Sequence, residues 1–583
     1  MKRNTLIALA LSAISALSFA NTTKVQSKLF LVGGGLKSCS SMAIKNCNSK
    51  ALTNTPQLKQ AKKSNYYKIN KKTVNLINNF WPDSFSDDNQ QQIIKLLTSI
   101  YKGESSSLLS KYQLKNVLKR YDDNRIINKL NDAEYYLLLD LLEQPVLEKN
   151  GSHRLKELVD LNNSSNIFST EIYQEFVRLA KEINNENKPT VLVLTASARD
   201  PFEAVDFYQA AFTQAGADTQ WLPLDATLNT LINHSGDRQK ICQQLTSTRL
   251  KIQGSANREL VYPDLTKQQL QACLSPDSIL TAIRQADGIF INGGDQSLTA
   301  KAFINADGSD SAAFTLIKEK LASNTLIIGG TSAGTAVMSG GTYNGANIAM
   351  ITNGQSNTAV FRGSKKNVLP LEGCQKSNTC ENDLLNDDLT YNSKGGLGLF
   401  HWGIMDTHFS ERGRQGRLAQ LALDTRTRFA FGVDEATALV VSDINSEQPH
   451  FKVMGQSGVF VVDNNLSKHK VVNTHYLTRG DIAKLTTNGL DIKTVHWKKT
   501  LAEPQELPLN ITNIFKGNRY KKMAKLLCLT SNHELNAETS WRKHNKNIKL
   551  TKLTPEKSRY GAISFHGKNT DYCSYQNYQL QIE

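Results

Sequence analysis

The chain has 583 residues, of which 39% are hydrophobic and 21% charged. These proportions exclude a fibrous or wholly disordered chain and fit a folded protein of two to four domains, at ~150 residues per domain. The net charge of +16, or +14 without Lys2 and Arg3, suits either anionic partners or a solvated lysine-rich surface. No helix-turn-helix, zinc-finger or RNP-like aromatic motif accompanies it, so no nucleic-acid partner is expected.

The first twenty residues, MKRNTLIALALSAISALSFA, set Lys2 and Arg3 before an apolar run ending in Ser18-Phe19-Ala20. That is the pattern of a secretory signal peptide cleaved after Ala20. The run is too short for a spanning helix, and no later stretch approaches the ~18 apolar residues one needs. The expectation is an exported protein, periplasmic or extracellular, without a membrane anchor. Eight cysteines follow the cleavage point, an even count that suits disulfides outside the cytoplasm. Pairing near neighbours joins Cys39 with Cys47, Cys242 with Cys273, Cys374 with Cys380, and Cys528 with Cys573. No CxxC spacing or adjoining histidine marks a zinc site, and neither metal nor cofactor is expected.

Residues 28–35, KLFLVGGG, read as a buried strand running into a glycine turn. Residues 36–165 carry apolar residues at helical spacing, as in QQQIIKLLTSIY and DAEYYLLLDLLEQPVL, and predict an all-helical insertion entered through the loop of Cys39 and Cys47. From PTVLVLTA at 189–196 onward, strands and helices alternate: PFEAVDFYQAAFTQAG, TQWLPLD, DSILTAIRQA, GIFING, SDSAAFTLIKEKLAS and TLIIGG. This rhythm predicts an α/β fold with a mostly parallel sheet covered by helices on both faces. Strands recur at FAFGVD, ALVVSD, FKVMG and GVFVVD. The main α/β domain would then comprise 21–35 and 166–479. Residues 480–583, basic and dotted with aromatics, predict a small C-terminal β-rich module stapled by Cys528 and Cys573.

The stretch GGTSAGTAVM places Ser332 between Gly330 and Gly334, where a strand turns sharply into a helical segment. The pattern fits a G-x-S-x-G nucleophile elbow; a glycine-rich phosphate-binding turn has the same look. A serine nucleophile needs a base, and the base needs an orienting acid. His408, in GIMDTHFSERGRQGRL, and Glu435, in FAFGVDEATALVV, each end a strand-like run as Ser332 does. The order Ser, His, Glu differs from the Ser, acid, His order of α/β-hydrolases, which would need His469 or His475 instead. Arg412, Arg414 and Arg417 follow His408 within six positions, either as a salt-bridged helix face or as a site for anions.

Taken together, GIFINGGDQSL, GGTSAGTAVM, DTHFSERGRQGRL and FGVDEATALVV resemble the cyanophycinases, serine peptidases related to the aspartyl dipeptidase peptidase E, with a fold like class I glutamine amidotransferases. The resemblance covers residues 28–35 and about 189–465. It implies hydrolysis of cyanophycin, a poly-aspartate carrying arginine on each β-carboxyl, to β-Asp-Arg dipeptides. It also implies Ser332 as nucleophile, His408 as base and acid, and Glu435 as its partner. Backbone N–H groups of Gly294 and Ala333 would form the oxyanion hole, and Gln296, Asp406, Arg412, Arg414 and Arg417 would line the substrate pocket. Thr407 stands where these enzymes usually carry glutamine, and both the insertion and the last hundred residues are additions. Related enzymes are often dimers. The C-terminal residues, with Trp497, Trp541 and Tyr572, suggest a grip on insoluble polymer. An exported aspartyl dipeptidase and a non-catalytic polymer-binding protein are the rival readings.

Overall fold

A computed structural model describes residues 26–103, 107–123, 125–184, 187–368, 383–465, 470–501, 511–565 and 568–583. The expected signal peptide, the Cys374–Cys380 pair and His469 lie outside the described residues. The other three expected disulfides, Cys39–Cys47, Cys242–Cys273 and Cys528–Cys573, are formed. No helix among the described residues is long and apolar enough to cross a membrane.

The protein has an α/β fold built on two sheets. In the first, five parallel strands lie in the spatial order Lys28–Val32, Ile327–Thr331, Gly288–Ile291, Thr190–Leu194 and Asp218–Trp221. The four inner strands of this set are buried almost throughout because helices cover both faces, as parallel strands require, whereas the edge strand Asp218–Trp221 is polar and largely exposed. On one side the helix Ile167–Asn184 packs Tyr173 and Phe176 against Phe30 and Phe290. Each fully buried phenylalanine contributes ~2 kcal/mol of hydrophobic stabilisation. Every predicted strand and helix from PTVLVLTA to TLIIGG is present, while the helices Leu245–Gln253 and Pro263–Leu274 stand where no element was expected.

The parallel expectation holds for only half of this sheet. Beyond Lys28–Val32, the strands Thr437–Ser442, His450–Gly455, Ile482–Thr486 and Gly489–Lys493 continue it antiparallel. Ile482–Thr486 and Gly489–Lys493 are joined by a two-residue turn, which reverses the chain, whereas between His450–Gly455 and Ile482–Thr486 the chain passes through two strands of the second sheet. A second sheet begins with Ile404–Asp406 and Phe429–Val433, paired in parallel. It continues antiparallel through Gly458–Asp463, Val471–Thr478, Lys568–Ile582, His544–Lys552 and Glu534–Trp541.

Residues past 480 are therefore β-rich, but their strands extend both sheets. Lys568–Ile582 pairs directly with Val471–Thr478, as in Val472 with Leu580. Tyr572, expected to help grip polymer, is 1% exposed and belongs to the interior.

The insertion holds the helices Lys71–Phe80, Asp87–Gly103, Lys111–Tyr121 and Asp132–Leu142. They bury Ile77, Ile93, Leu97, Leu114, Leu118 and Leu138 in a core of their own. It is not wholly helical: Tyr66–Tyr67, Leu109–Ser110 and Glu143–Gln144 form a three-stranded sheet. Two-residue pairings carry no periodicity that a sequence could display. Arg258, fully buried, ties this unit to the main sheet by ion pairs to Glu143 at 2.8 Å and Asp200 at 2.6 Å.

Candidate active site

Three chain segments converge, one leaving the first sheet after Ile327–Thr331 and two leaving the second sheet after Ile404–Asp406 and Phe429–Val433. Ser332 follows the strand Ile327–Thr331 with φ 55° and ψ −116°, a conformation non-glycine residues avoid. Such a residue costs ~1–3 kcal/mol and persists only where its surroundings overdetermine it. Here the Ser332 N–H donates to the Val32 carbonyl at 3.0 Å, and the Thr335 hydroxyl bridges the Val32 and Gly330 carbonyls. A Cβ at Gly330 would stand 2.3 Å from the Gly334 carbonyl oxygen, and one at Gly334 2.5 Å from that of Ile291. Both glycines of the elbow are thus sterically required. The helix that follows, Ala333–Ala336, is only four residues long, so any help to an anion here comes from local N–H groups rather than from a long helix dipole.

His408 also has positive φ, 46°, and its N–H donates to the Gly33 carbonyl at 2.7 Å. Its Nε2 lies 2.8 Å from Ser332 Oγ, and its Nδ1 lies 2.9 Å from Glu435 Oε1. An ionised carboxylate only accepts, so Nδ1 carries the proton, and Nε2 accepts from the serine hydroxyl. Burial holds the imidazole below its ordinary value; Arg412 and Arg414 push it the same way and Glu435 opposes them. The neutral, proton-accepting form therefore persists to lower pH than in a free histidine. A histidine-selective NMR titration should show His408 protonating below its unperturbed value of ~6.5; a midpoint above that would contradict the site as described.

The sequence reading did not anticipate how Gly33, Gly34 and Gly35 shape the site. A Cβ on Gly34 would lie 2.4 Å from His408 Cε1, and one on Gly35 2.5 Å from Glu435 Oε2. The Gly34 carbonyl accepts from the Ala436 N–H at 2.9 Å. This turn is the floor on which imidazole and carboxylate rest. Its one sequence signal was a glycine triplet directly after a buried strand.

A cavity of about 180 Å³ opens beside Ser332, and Gly294, Gln296, Ala333, Asp406, Thr407, His408, Arg412, Arg414 and Arg417 all line it. Every predicted pocket residue is therefore gathered here, with Glu435 behind the histidine. Ile351, Thr352 and Asn353 line it too, unforeseen. Among the described residues the N–H groups of Gly294 and Ala333 donate to no protein acceptor. His475, the rival base, is buried on Val471–Thr478 in the second sheet, where its Nδ1 accepts from the Asn577 N–H at 3.3 Å; burial lowers it to about 4.

The polar groups differ in availability. Asp406, 2% exposed, accepts from Arg417 Nε at 2.8 Å, Arg417 Nη2 at 2.6 Å, Arg414 Nη1 at 3.1 Å and the Thr407 N–H at 2.8 Å. Burial alone would raise its carboxyl; Arg417 and Arg414 overcome that and hold it low. Gln296 donates its amide to the Ile351 carbonyl at 2.6 Å. Arg414 is brought down to about 9 by burial and by Arg417, offset by Asp406, and stays cationic at neutral pH. Arg412 is exposed, and its side chain has no hydrogen-bond or ion-pair partner among the described residues. Asp406 is thus a brace for arginines, and the cavity keeps a net positive character.

Asp406→Ala should destabilise the protein by ~3–5 kcal/mol, because two arginines would be left buried without their counter-ion. Urea unfolding measures this, and a loss under 1 kcal/mol would mean the cluster is hydrated and weak.

No protein-family model matches the chain. Among curated proteins it is similar to the cyanophycinase of Nostoc sp., 25% identical over 275 residues, or 47% of this chain and 74% of that protein. It is likewise similar to the cyanophycinase of Trichormus variabilis, 24% identical over 275 residues with the same coverage. The likeness is distant and covers about half the chain, and it supports a cyanophycinase-like relationship.

Proposed function

We propose that the protein is an exported serine peptidase that hydrolyses the poly-aspartate backbone of cyanophycin to β-Asp-Arg dipeptides, on a fold of the class I glutamine amidotransferase kind. The observation that carries this reading is the hydrogen-bonded chain Ser332 Oγ, His408 Nε2, His408 Nδ1, Glu435 Oε1, with links of 2.8 and 2.9 Å. The comparisons lend it the substrate.

In this mechanism Ser332 Oγ attacks the backbone carbonyl carbon as its proton passes to His408 Nε2. Glu435 steadies the imidazolium that forms. The carbonyl oxygen, now an alkoxide, receives the N–H groups of Gly294 and Ala333. His408 then delivers its proton to the departing amine, leaving an acyl-enzyme, and a water activated by the same imidazole regenerates the serine. Arg412 at the cavity mouth is suited to pair with a substrate carboxylate. Asp406 would keep Arg414 and Arg417 in place rather than meet the substrate guanidinium, since its oxygens are already occupied.

The test is incubation with purified cyanophycin followed by mass analysis. Release of β-Asp-Arg supports the reading. Cleavage of α-Asp dipeptides with no release from polymer would replace it with an aspartyl dipeptidase, and failure of a fluorophosphonate probe to label Ser332 would leave a polymer-binding protein.

A further inference from the structure

The loops that carry His408 and Glu435 are braced against each other by two acidic side chains outside the triad. Asp434, fully buried, accepts from the Ser410 N–H at 2.9 Å. Glu411 accepts from the Glu435 N–H at 3.0 Å through Oε2. Each carboxylate thus joins one loop to the other, and both stand within two or three residues of a triad member. Two carboxylates that close repel, and burying them magnifies the repulsion.

The positive charge between them comes from the far end of the chain. Lys521, on the helix Arg519–Leu529, places Nζ 3.0 Å from Asp434 Oδ2 and 3.9 Å from Glu411 Oε1. Ser457 and Tyr476 complete the shell, both hydroxyls donating to Asp434 Oδ2 at 2.6 Å. The remaining charged groups are Arg412 and Glu435 on the loops themselves, and Lys525 with Asp571, which pair with each other at 3.4 Å.

We propose that Lys521, supplied by the C-terminal hundred residues, is a positioning residue for the triad, acting through Asp434 and Glu411 to fix the Glu435 loop against the His408 loop. The inference rests on the reading of Ser332 as a nucleophile. It gives the C-terminal residues a part in the active site that an accessory grip on polymer would not require. Burial and Asp434 raise Glu411 to about 7, with Lys521 opposing them. Ionised Glu411 is the stronger acceptor for the Glu435 N–H, so reactivity of Ser332 should climb as pH rises through that value. Removing the lysine charge removes what favours ionisation, so the step should move to higher pH.

The experiment measures kcat and KM on soluble cyanophycin fragments, and the rate of Ser332 phosphonylation by a fluorophosphonate across pH 5 to 9. For Lys521→Met we expect roughly a 10-fold fall in kcat, as for a small displacement of a catalytic group, with KM within about twofold and the step moved upward. Lys521→Arg should restore most of the rate. Glu411→Gln should abolish the step near pH 7 and leave only the limb from His408 at lower pH. Unchanged kcat and step in Lys521→Met would overturn the inference, as would a loss that merely follows the unfolded fraction in thermal melts. If Lys521→Met does not fold, a step near pH 7 persisting in Glu411→Gln above the His408 limb overturns it, and loss of that step supports it. A wild-type protein that neither hydrolyses polymer nor labels at Ser332 overturns the functional reading, and this inference with it.

Discussion

Ser332→Ala should lower hydrolysis by ~10⁴-fold or more while leaving the fold intact. The side chain makes one hydrogen bond, to His408 Nε2 at 2.8 Å, and losing such a bond costs ~1 kcal/mol. Alanine meets the positive φ of 55° at the same cost as serine, so the melting temperature should move by only a few degrees. Adding His408→Ala or Glu435→Ala to Ser332→Ala should lower the residual rate little further, because residues that act as a unit are not additive. Turnover above a hundredth of wild type in Ser332→Ala would exclude the nucleophile assignment.

Gly34→Ala is the second large effect, at a residue with no chemistry of its own. The added methyl would stand 2.4 Å from His408 Cε1 and 2.5 Å from Nε2, and the backbone there has φ +101°. The imidazole must move or the turn must open. Either displaces Nε2 from the serine, and a misplacement of ~1 Å costs on the order of 10²-fold in rate. Gly151→Ala is the control: φ is +72°, but nothing lies within 4 Å of the added methyl. It should carry the backbone strain of ~1–2 kcal/mol with kcat unchanged. Equal activity in the two variants would mean that the glycine turn does not support the histidine.

Much of this arrangement was legible because its signals are local. A run such as Leu326-Ile327-Ile328 before Gly329 declares a buried strand and its end within a few residues. Ser332, His408 and Glu435 each follow such an end, which made them candidates. The Asp132–Leu142 helix announces itself through the helical spacing of apolar residues in DAEYYLLLDLLEQPVL. Other parts had no local signature. The short strands of the insertion are pairings of two residues each, and the glycine triplet gave no hint that a ring and a carboxylate would lie against it.

The sequence by itself determined where strands end, that an α/β architecture would follow, and which side chains stand at the strand ends as possible nucleophile, base and acid. Only the tertiary structure decided that Ser332 meets His408 across 76 positions and His408 meets Glu435 across 27, while His475 is buried in the second sheet. It also decided that Asp406 is saturated by arginines, and that the final strand, Lys568–Ile582, closes against Val471–Thr478 rather than forming a module of its own. The reason is physical. Strand ends and caps depend on neighbours a few residues away, whereas register and strand order depend on which distant apolar faces bury one another, and no short stretch of chain contains that information.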